Sequence, residues 1–322
     1  MQKIAVIHDL SGLGRTSLSV VIPILSTLGV QVCPLPTAVL SSGTSGFPDF
    51  RFQDLTPAMR TFLDHWKSIP LTVDAVYSGF LGSAEQVGLV AECAQSCLKK
   101  GGLFVVDPVM GDNGELEPTM GTEMVQRMRW LATQATCITP NLTEAALLLE
   151  EDYPFWAEDR GMPEDLVVDW LARLADMGPE YVVITSVPLA PRQTCPEVQN
   201  AEQPNPNKKV HSHATTWSGH ARSTAVMAFD KRQGRFWKVE CEYLPAVYPG
   251  TGDTFTSVLT GSLMQGDSLP VAMDRAVQFV TLGLRAAFGH KAPEREGIYL
   301  ERVLMTLLEP VTALHYRLIA EQ

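Results

Sequence analysis

Residues 250–264 read Gly-Thr-Gly-Asp-Thr-Phe-Thr-Ser-Val-Leu-Thr-Gly-Ser-Leu-Met, a glycine-rich turn that runs into an apolar-periodic segment. Gly250 and Gly252 permit a tight turn, and we expect the following helix to start at Asp253. The first amide groups of that helix and its positive dipole end would form an anion site. A carboxylate beside such a site suits a group that removes a proton while the amides hold the developing negative charge. The stretch therefore predicts phosphoryl transfer to a hydroxyl group, as in a small-molecule kinase.

Short β-rich runs alternate with longer amphipathic stretches along the rest of the chain, which predicts a parallel sheet covered by helices. The runs Ala225–Asp230 and Arg235–Glu240 flank a four-residue turn and predict an antiparallel hairpin at one edge. We find no internal repeat and no domain boundary, so we expect one α/β domain over residues 1–322. Residues 187–223 are rich in proline and polar residues and predict a long flexible insertion, either a lid or an inert surface loop.

Polar side chains follow four of the predicted strands. In an open parallel sheet, ligands bind at the carboxyl ends of the strands, where these side chains would meet. Each motif also has a purely structural interpretation, as a turn after a strand or as an N-cap at Thr143. Their coincidence at one edge favours a functional site, in which Asp112 and Glu144 hold a divalent cation and Thr185 and Thr251 bind phosphate oxygens. The motifs are Asp107-Pro108-Val109-Met110-Gly111-Asp112-Asn113-Gly114, Thr139-Pro140-Asn141-Leu142-Thr143-Glu144, Thr185-Ser186 and Gly250–Asp253.

Two loops near the amino terminus carry further candidates. The turn at residues 11–17 follows the first strand, but it lacks the complete pattern of a dinucleotide-binding fingerprint. No Gly-x-x-x-x-Gly-Lys-Ser/Thr loop occurs in the chain. The small polar loop Ser41–Phe47 follows the second strand and can approach a flat ring, with Thr44 as hydrogen-bonding group and Phe47 or Phe80 as apolar wall.

Composition narrows the function classes. The formal net charge of −11 argues against a general binder of nucleic acid or anionic membranes. No apolar run approaches the roughly 20 residues that span a bilayer. Six cysteines without any Cys-x-x-Cys pair predict free thiols in a reducing compartment, so we expect a cytoplasmic protein.

Taken together, these motifs resemble the ribokinase-like superfamily, and within it the pyridoxal/pyridoxamine kinase branch. Gly250-Thr251-Gly252-Asp253 carries the likeness to the superfamily. The stretches Asp107–Asp112 and Ser78–Gln86 carry the likeness to the branch, together with the opening Ile7–Ser11. The resemblance spans nearly the whole chain apart from residues 187–223. It implies a three-layer fold with a mainly parallel central sheet between helices, and a homodimer.

The resemblance also implies an activity, namely ATP-dependent phosphorylation of the 5′-hydroxymethyl group of a vitamin B6 vitamer. It implies Mg²⁺ as cofactor and leaves dependence on a monovalent cation such as K⁺ open. Asp253 matches the catalytic base, with Gly250, Thr251 and Gly252 as its anion hole, and Glu144 matches the residue that organises Mg²⁺ and its waters. The nucleotide side would be formed by Asp107, Asp112, Thr139, Asn141, Thr185 and Ser186, and the pyridine-ring side by Asp9, Thr44 and Phe80.

Three positions depart from the pattern of the vitamin B6 kinases. Gly43 stands where a histidine is usual, Phe80 where a tyrosine is common, and Asp9 where well-known members have serine. We hypothesise that Asp9 favours pyridoxamine by pairing with its amine. Two other functions stay open: a kinase for hydroxymethylpyrimidine or another small alcohol, and a non-catalytic protein that binds B6 or nucleotide.

Overall fold

A twisted sheet runs through the centre of the molecule. The structure is a computed structural model that describes residues 1–117, 120–189, 224–241, 248–311 and 313–322. Ten strands of these residues form the sheet. In spatial order they are β12 (Arg317–Glu321), β11 (Arg235–Cys241), β10 (Thr224–Asp230), β9 (Tyr181–Pro188), β8 (Cys137–Ile138), β5 (Leu98–Val106), β4 (Val73–Ser78), β1 (Lys3–Ser11), β2 (Gln31–Leu40) and β3 (Phe52–Asp54).

The six central strands, from β9 to β2, pair in parallel, as the alternation of strands and helices predicts. The expected hairpin is confirmed, since β10 and β11 pair antiparallel across the turn that precedes Arg235. Antiparallel strands also occur where none was expected: β12 extends the sheet beyond β11, and β3 closes the opposite edge against β2. A separate small ribbon is formed by β6 (Gly111–Asp112) and β7 (Glu115–Leu116).

Helices cover both faces of the sheet, which gives the three-layer architecture that the resemblance implied. Side chains of β1 alternate between the two cores, with Ile4 and Val6 on one face and Ala5 and Ile7 on the other. The Ile4 face packs against α1 (Leu18–Thr27), α8 (Thr251–Gln265), α9 (Leu269–Gly289) and α10 (Leu300–Val303). The Ala5 face packs against α2 (Thr56–Ser68), α3 (Ala84–Cys97), α4 (Thr122–Ala132), α5 (Leu142–Leu149), α6 (Trp156–Arg160) and α7 (Glu164–Asp176).

Two further segments, Glu294–Glu296 and Leu304–Leu308, are 3₁₀ turns. Among the described residues, none of the helices combines the length and apolar character needed to cross a bilayer. The cysteines at positions 33, 93, 97, 137 and 241 are free, in agreement with the prediction of free thiols, whereas Cys195 lies outside the described residues.

Some boundaries differ from those that the sequence predicts. The third helix was expected over Ala84–Lys100, but it ends at Cys97 because Leu98 already pairs with Val73 in the ladder between β5 and β4. The strand β9 extends through Val187 and Pro188, which pair with β10, so the start of the expected insertion belongs to the sheet. Residues 190–223, the rest of that expected insertion, lie outside the described residues.

Candidate active site

Two adjoining cavities open at the carboxyl ends of the parallel strands. The first, which we call the apolar cavity, has a volume of about 310 Å³ and is walled by Leu40, Phe50, Phe52, Phe80 and Val109. The second, the polar cavity, has a volume of about 220 Å³ and contains every residue predicted for the nucleotide side, namely Asp107, Asp112, Thr139, Asn141, Thr185 and Ser186. Gly250 and Asp253 line both cavities, so they stand at the junction.

The start of α8 faces this junction. The helix begins at Thr251, two residues before the expected start at Asp253, with Gly250 as its N-cap. Gly250 has φ = 78°, and a Cβ at this position would lie 2.0 Å from the carbonyl oxygen of Arg15, so only glycine fits. The amides in the first turn of a helix have no intrahelical acceptor. Thr251, Gly252 and Asp253 therefore offer donors to an anion in the polar cavity, which they line.

The carboxylate of Asp253 is held by two parts of the chain that the sequence analysis did not connect to it. Its Oδ1 lies 2.9 Å from Nε2 of His8, and its Oδ2 accepts a hydrogen bond of 2.7 Å from the amide of Ser17. Ser17 caps α1 with φ = 57° and ψ = −139°, a conformation that costs free energy for any residue other than glycine. Burial raises the pKa of Asp253, but the charge and hydrogen bond of His8 outweigh burial, so the pKa is lowered.

His8 is a fully buried imidazole between two carboxylates. Its Nδ1 lies 3.0 Å from Oδ1 of Asp9, while its Nε2 faces Asp253. Burial lowers the pKa of His8, but the charge of Asp253 and the hydrogen bonds to both carboxylates outweigh it and raise the pKa to about 10. A pKa raised in this direction favours the protonated form of the ring.

The three residues predicted for the pyridine-ring side, Asp9, Thr44 and Phe80, all line the apolar cavity. Asp9 is occupied, however, because its Oδ1 faces His8 and its Oδ2 accepts a hydrogen bond from Ser11. Pairing of Asp9 with the amine of pyridoxamine therefore stays a prediction, in which the amine shares this carboxylate with His8 and Ser11. Of the two expected apolar walls, Phe80 lines the cavity, whereas Phe47 lies under the guanidinium of Arg295, 5.1 Å from its ring centroid.

Hydrogen bonds join the strand ends around the polar cavity. Thr256, one turn into α8, donates to Oδ2 of Asp107 at 3.2 Å and lies 3.0 Å from the hydroxyl of Thr139. Asn141 and Thr185 continue the parallel pairing of β8 and β9 as an isolated bridge. The helix α8 is thereby tied to β5 and β8, and the predicted nucleotide-side residues face one space.

Asn141, not Thr143, is the N-cap of α5, which corrects the structural alternative considered for this motif. Its side chain accepts from the amide of Glu144, and Glu144 Oε2 accepts from the amide of Asn141 at 2.8 Å, which completes a capping box. The hydroxyl of Thr143 instead accepts from the amide of Gly114 at 2.9 Å. Glu144 Oε1 also accepts from the amide of Met110, so both oxygens of this buried carboxylate are already partnered.

The carboxylates of the polar cavity fit a hard divalent cation bound together with phosphate. Burial and the nearby charge of Asp107 raise the pKa of Glu144 well above its usual range, and burial and Asp253 raise the pKa of Asp107 to about 7. A cation would relieve this mutual repulsion. Within the described part of the chain, no group of three or more His, Cys, Asp or Glu side chains is close enough to form a metal site by itself. Asp112 is the exposed carboxylate available for direct contact, and Glu144 fits contact through water.

Sequence reasoning missed several residues of the site. His8, Ser17, Phe50, Phe52 and Thr256 line the two cavities, but the sequence analysis gave none of them a role in the site. A signal existed only for Thr256, which is three residues after Asp253 and therefore on the same face of a helix. Arg15, in the turn at residues 11–17, pairs with Glu301, with Nε 2.8 Å from Oε2.

Known proteins share both the sequence and the fold. Residues 25–295 match the phosphomethylpyrimidine kinase family. The pyridoxine kinase of Bacillus subtilis (strain 168) is 26% identical over 218 residues, which are 67% of this chain and 65% of that protein. The chain thus spans somewhat less than two thirds of the length of this relative.

Two crystal structures superpose over nearly the whole chain. The first, from Bacteroides thetaiotaomicron VPI-5482, is described provisionally as a phosphomethylpyrimidine kinase, in an orthorhombic form with pyridoxal. It is 47% identical with a TM-score of 0.84 over 99% of each chain. The second is the pyridoxal kinase from Lactobacillus plantarum, 28% identical with a TM-score of 0.76 over 96% of this chain and 97% of the other. The chain therefore belongs to the phosphomethylpyrimidine kinase family, with the ribokinase-like fold of its pyridoxal kinase relatives.

Proposed function

We propose that this protein is an ATP-dependent kinase that phosphorylates the 5′-hydroxymethyl group of pyridoxal, pyridoxine or pyridoxamine. The position of Asp253 carries the proposal: it stands at the amide-rich start of α8, between a cavity with aromatic walls and a cavity lined by phosphate-binding groups. The relatives named above support a B6 vitamer as the acceptor.

The residues have separate tasks in this mechanism. The acceptor ring lies in the apolar cavity between Phe80 and Thr44, with its hydroxymethyl group directed to the junction. Asp253 takes the proton of the hydroxyl as its oxygen bonds to the γ-phosphorus and the bond to the leaving ADP oxygen breaks. The amides of Gly250, Thr251 and Gly252 hold the charge on the phosphoryl oxygens.

The nucleotide phosphates would occupy the polar cavity. Thr185 and Thr251 donate hydrogen bonds to phosphate oxygens, and Asp107, Thr139, Asn141 and Ser186 complete this side. Mg²⁺ supplies charge neutralisation of the phosphates when bound, and Asp112 and Glu144 are the residues that would hold it. Cytoplasmic location and a homodimer remain parts of the proposal, and dependence on a monovalent cation such as K⁺ stays open.

A second acceptor class is favoured by one observation, the match of residues 25–295 to the phosphomethylpyrimidine kinase family. Hydroxymethylpyrimidine also presents a hydroxymethyl group on a flat ring, so the same machinery would serve it. Gly43 precedes Thr44 of the apolar cavity, and a side chain added at Gly43 would extend toward Thr16, which lines the same cavity.

The deciding experiment measures ADP release from Mg·ATP with pyridoxal, pyridoxine, pyridoxamine and hydroxymethylpyrimidine, in KCl and in tetramethylammonium chloride. The Asp253→Asn variant, purified identically, corrects for contaminating kinases. We expect the highest kcat/KM with a B6 vitamer. A preference for hydroxymethylpyrimidine would replace the proposed acceptor, and binding of Mg·ATP without turnover of any compound would indicate a non-catalytic binding protein.

A further inference from the structure

His8 has no task in the proposed mechanism, although its ring lies between the carboxylates of Asp9 and Asp253. His8, within β1, is 1% exposed, yet it lies beside the proposed base Asp253. We propose that His8 is a positioning residue, which as an imidazolium between Asp9 and Asp253 keeps the Asp253 carboxylate ionised and directed at the junction of the two cavities. This inference rests on the proposed function, because that function makes Asp253 the base.

Packing fixes the orientation of the His8 ring. A Cβ on Gly79 would lie 2.0 Å from Cδ2 of His8, so the ring lies directly on the backbone that follows β4. On another side, the ring meets Tyr77 edge to face, with centroids 6.2 Å apart and an interplanar angle of 86°. A ring confined in this way can present its two nitrogens only along β1 toward Asp9 and across to α8 toward Asp253.

Two nearby carboxylates favour the protonated form of the ring. Nδ1 lies 3.0 Å from Oδ1 of Asp9, and the amide of Asp9 is directed as a donor at the same nitrogen, also from 3.0 Å. A neutral ring that accepted from the amide would turn its Nδ1 lone pair toward the adjacent carboxylate. An imidazolium instead donates to a carboxylate from each nitrogen, which is the stronger, charge-assisted arrangement.

The charges around His8 explain why the base needs it. The titratable groups around the ring are Asp9 on β1, Asp253 on α8, Tyr77 on β4 and Asp107 directly after β5. Burial and the charge of Asp253 raise the pKa of Asp107, while His8 lowers the pKa of both carboxylates, so loss of the cation would raise the proton affinity of this buried pair. A protonated Asp253 cannot accept the proton of the acceptor hydroxyl.

The proton transfers remain balanced with His8 in this role. The hydroxyl proton goes to Asp253 as the new oxygen–phosphorus bond forms, and His8 keeps its own two protons throughout. Each Asp253 oxygen has a second lone pair for the acceptor hydroxyl, because His8 and the Ser17 amide each occupy one.

Two substitutions separate the charge of His8 from its hydrogen bond. His8→Gln retains an N–H donor toward Asp253 but removes the positive charge, and His8→Leu removes both. Tyr77→Phe is the matched control, because it removes the hydroxyl of a buried residue that contacts His8 and retains the contacting ring. Thermal unfolding of all three variants establishes that they fold.

The readout is the pH dependence of kcat/KM for pyridoxal between pH 5 and 9 at saturating Mg·ATP. We expect a flat acid side for the wild type, since the pKa of Asp253 is lowered. In His8→Gln the acid limb should move up by at least about one pH unit, with kcat at pH 7 reduced about 10- to 100-fold and the KM for ATP little changed. His8→Leu should lose more activity and regain part of it as the pH rises, and Tyr77→Phe should retain the wild-type profile. An unchanged acid limb in folded His8→Gln would overturn the proposal.

A second measurement does not depend on turnover. In protein labelled with ¹⁵N-histidine, one of the seven rings should keep the nitrogen shifts of an imidazolium to pH 9, and its signals should be absent from the spectrum of His8→Gln. If all rings instead lose a proton near the usual pKa of about 6.5, the proposal is refuted. A wild type that phosphorylates none of the panel compounds would refute only the proposed function, because the spectra still report the charge of His8.

Discussion

Asp253 combines two features that rarely occur together, a buried carboxylate and a lowered pKa. Its environment keeps it ionised, and a proton acceptor must be ionised before it can act. We expect Asp253→Asn to reduce kcat by about 10²- to 10⁴-fold while the Kd for Mg·ATP stays within a small factor, since the substitution removes a proton acceptor and preserves size. Steady-state rates and calorimetric ATP titrations check the two expectations.

A matched control exists in the neighbouring helix. Asp274 on α9 is equally a buried carboxylate, but it binds the amide of His315 at 2.6 Å and lines neither cavity. Asp274→Asn should lower the melting temperature without lowering kcat. If Asp253→Asn retained wild-type kcat, the base would have to be another group.

At single positions, the sequence predicts the site residues that follow strands and misses those that reach the site by tertiary contact. Asp107 and Asn141 follow strand ends, Thr185 lies in the last half of β9, and parallel topology brings these positions to one edge. His8 lies within β1 as one residue of an apolar strand, and only its partner 245 positions later gives it a role. Local patterns contain no information about such a distant pair.

The start of α8 depends on a backbone conformation as much as on side chains. Gly250→Ala would place a methyl group against the carbonyl of Arg15 and would force φ = 78° on a residue with a Cβ. We expect a loss of stability of about 1–3 kcal/mol together with a lower kcat, since the amides of the first turn would move. Gly266, at the other end of α8 with φ = 96° and no atom within 4 Å of its added Cβ, provides a control. Gly266→Ala should cost stability alone, as measured by urea unfolding and initial rates.

The capping box of α5 gives a test of how local structure serves the site. Asn141→Ala removes the acceptor for the amide of Glu144 and the donor to the carbonyl of Gly111, so it should cost about 1 kcal/mol or more in the free energy of unfolding. Because Asn141 also lines the polar cavity, the KM for ATP should rise. Asn141→Asp retains the cap acceptor and should recover most of the stability but not the ATP affinity. A variant with wild-type KM would remove Asn141 from the nucleotide side.

Helix and strand positions were predictable wherever one periodicity dominated the sequence. Tertiary pairing decides the remaining boundaries. Leu98 continues the helical pattern of α3, yet the ladder with Val73 takes it into β5. The edge strands β3 and β12 are short, and most of their residues are exposed, so they carry little apolar pattern in the sequence. They form because β2 and β11 present unpaired backbone groups to them.

Across the whole molecule, the architecture follows from alternation of strands and helices, and the stacking of helices on two faces follows from the alternating burial of β1 and its neighbours. The depth of the site does not follow from such patterns. It arises because β1, β4, β5, β8 and α8 converge at one edge, where their polar groups are removed from water and shift one another's pKa values.

This convergence makes the stability of the molecule depend on pH. Because the pKa of His8 is raised from 6.5 to about 10, the folded state holds a proton that the unfolded state releases between these values. The contribution of His8 to stability is therefore complete below pH 6.5 and is lost as the pH rises through about 10. The lowered pKa of Asp253 acts in the opposite sense, since its contribution is present above the usual aspartate range and is lost as the pH falls through the lowered value. The pKa of Asp107 is raised to about 7, so the folded state loses stability as the pH rises from the usual aspartate range through about 7. This loss is nearly complete by about pH 8.

Between pH 8 and 10, His8 is therefore the one of these three groups whose protonation still changes the free energy of unfolding. Urea unfolding of the wild type should show the free energy of unfolding falling in this window by up to about 1.4 kcal/mol per pH unit. His8→Gln should be less stable than the wild type at pH 7, and the difference between the two proteins should shrink as the pH approaches 10. Subtracting the two curves cancels the cysteine and tyrosine titrations that both proteins share. A difference in the free energy of unfolding that stays constant from pH 7 to 10 would mean that His8 is neutral in the folded protein. That result would refute the proposal that His8 is a buried imidazolium.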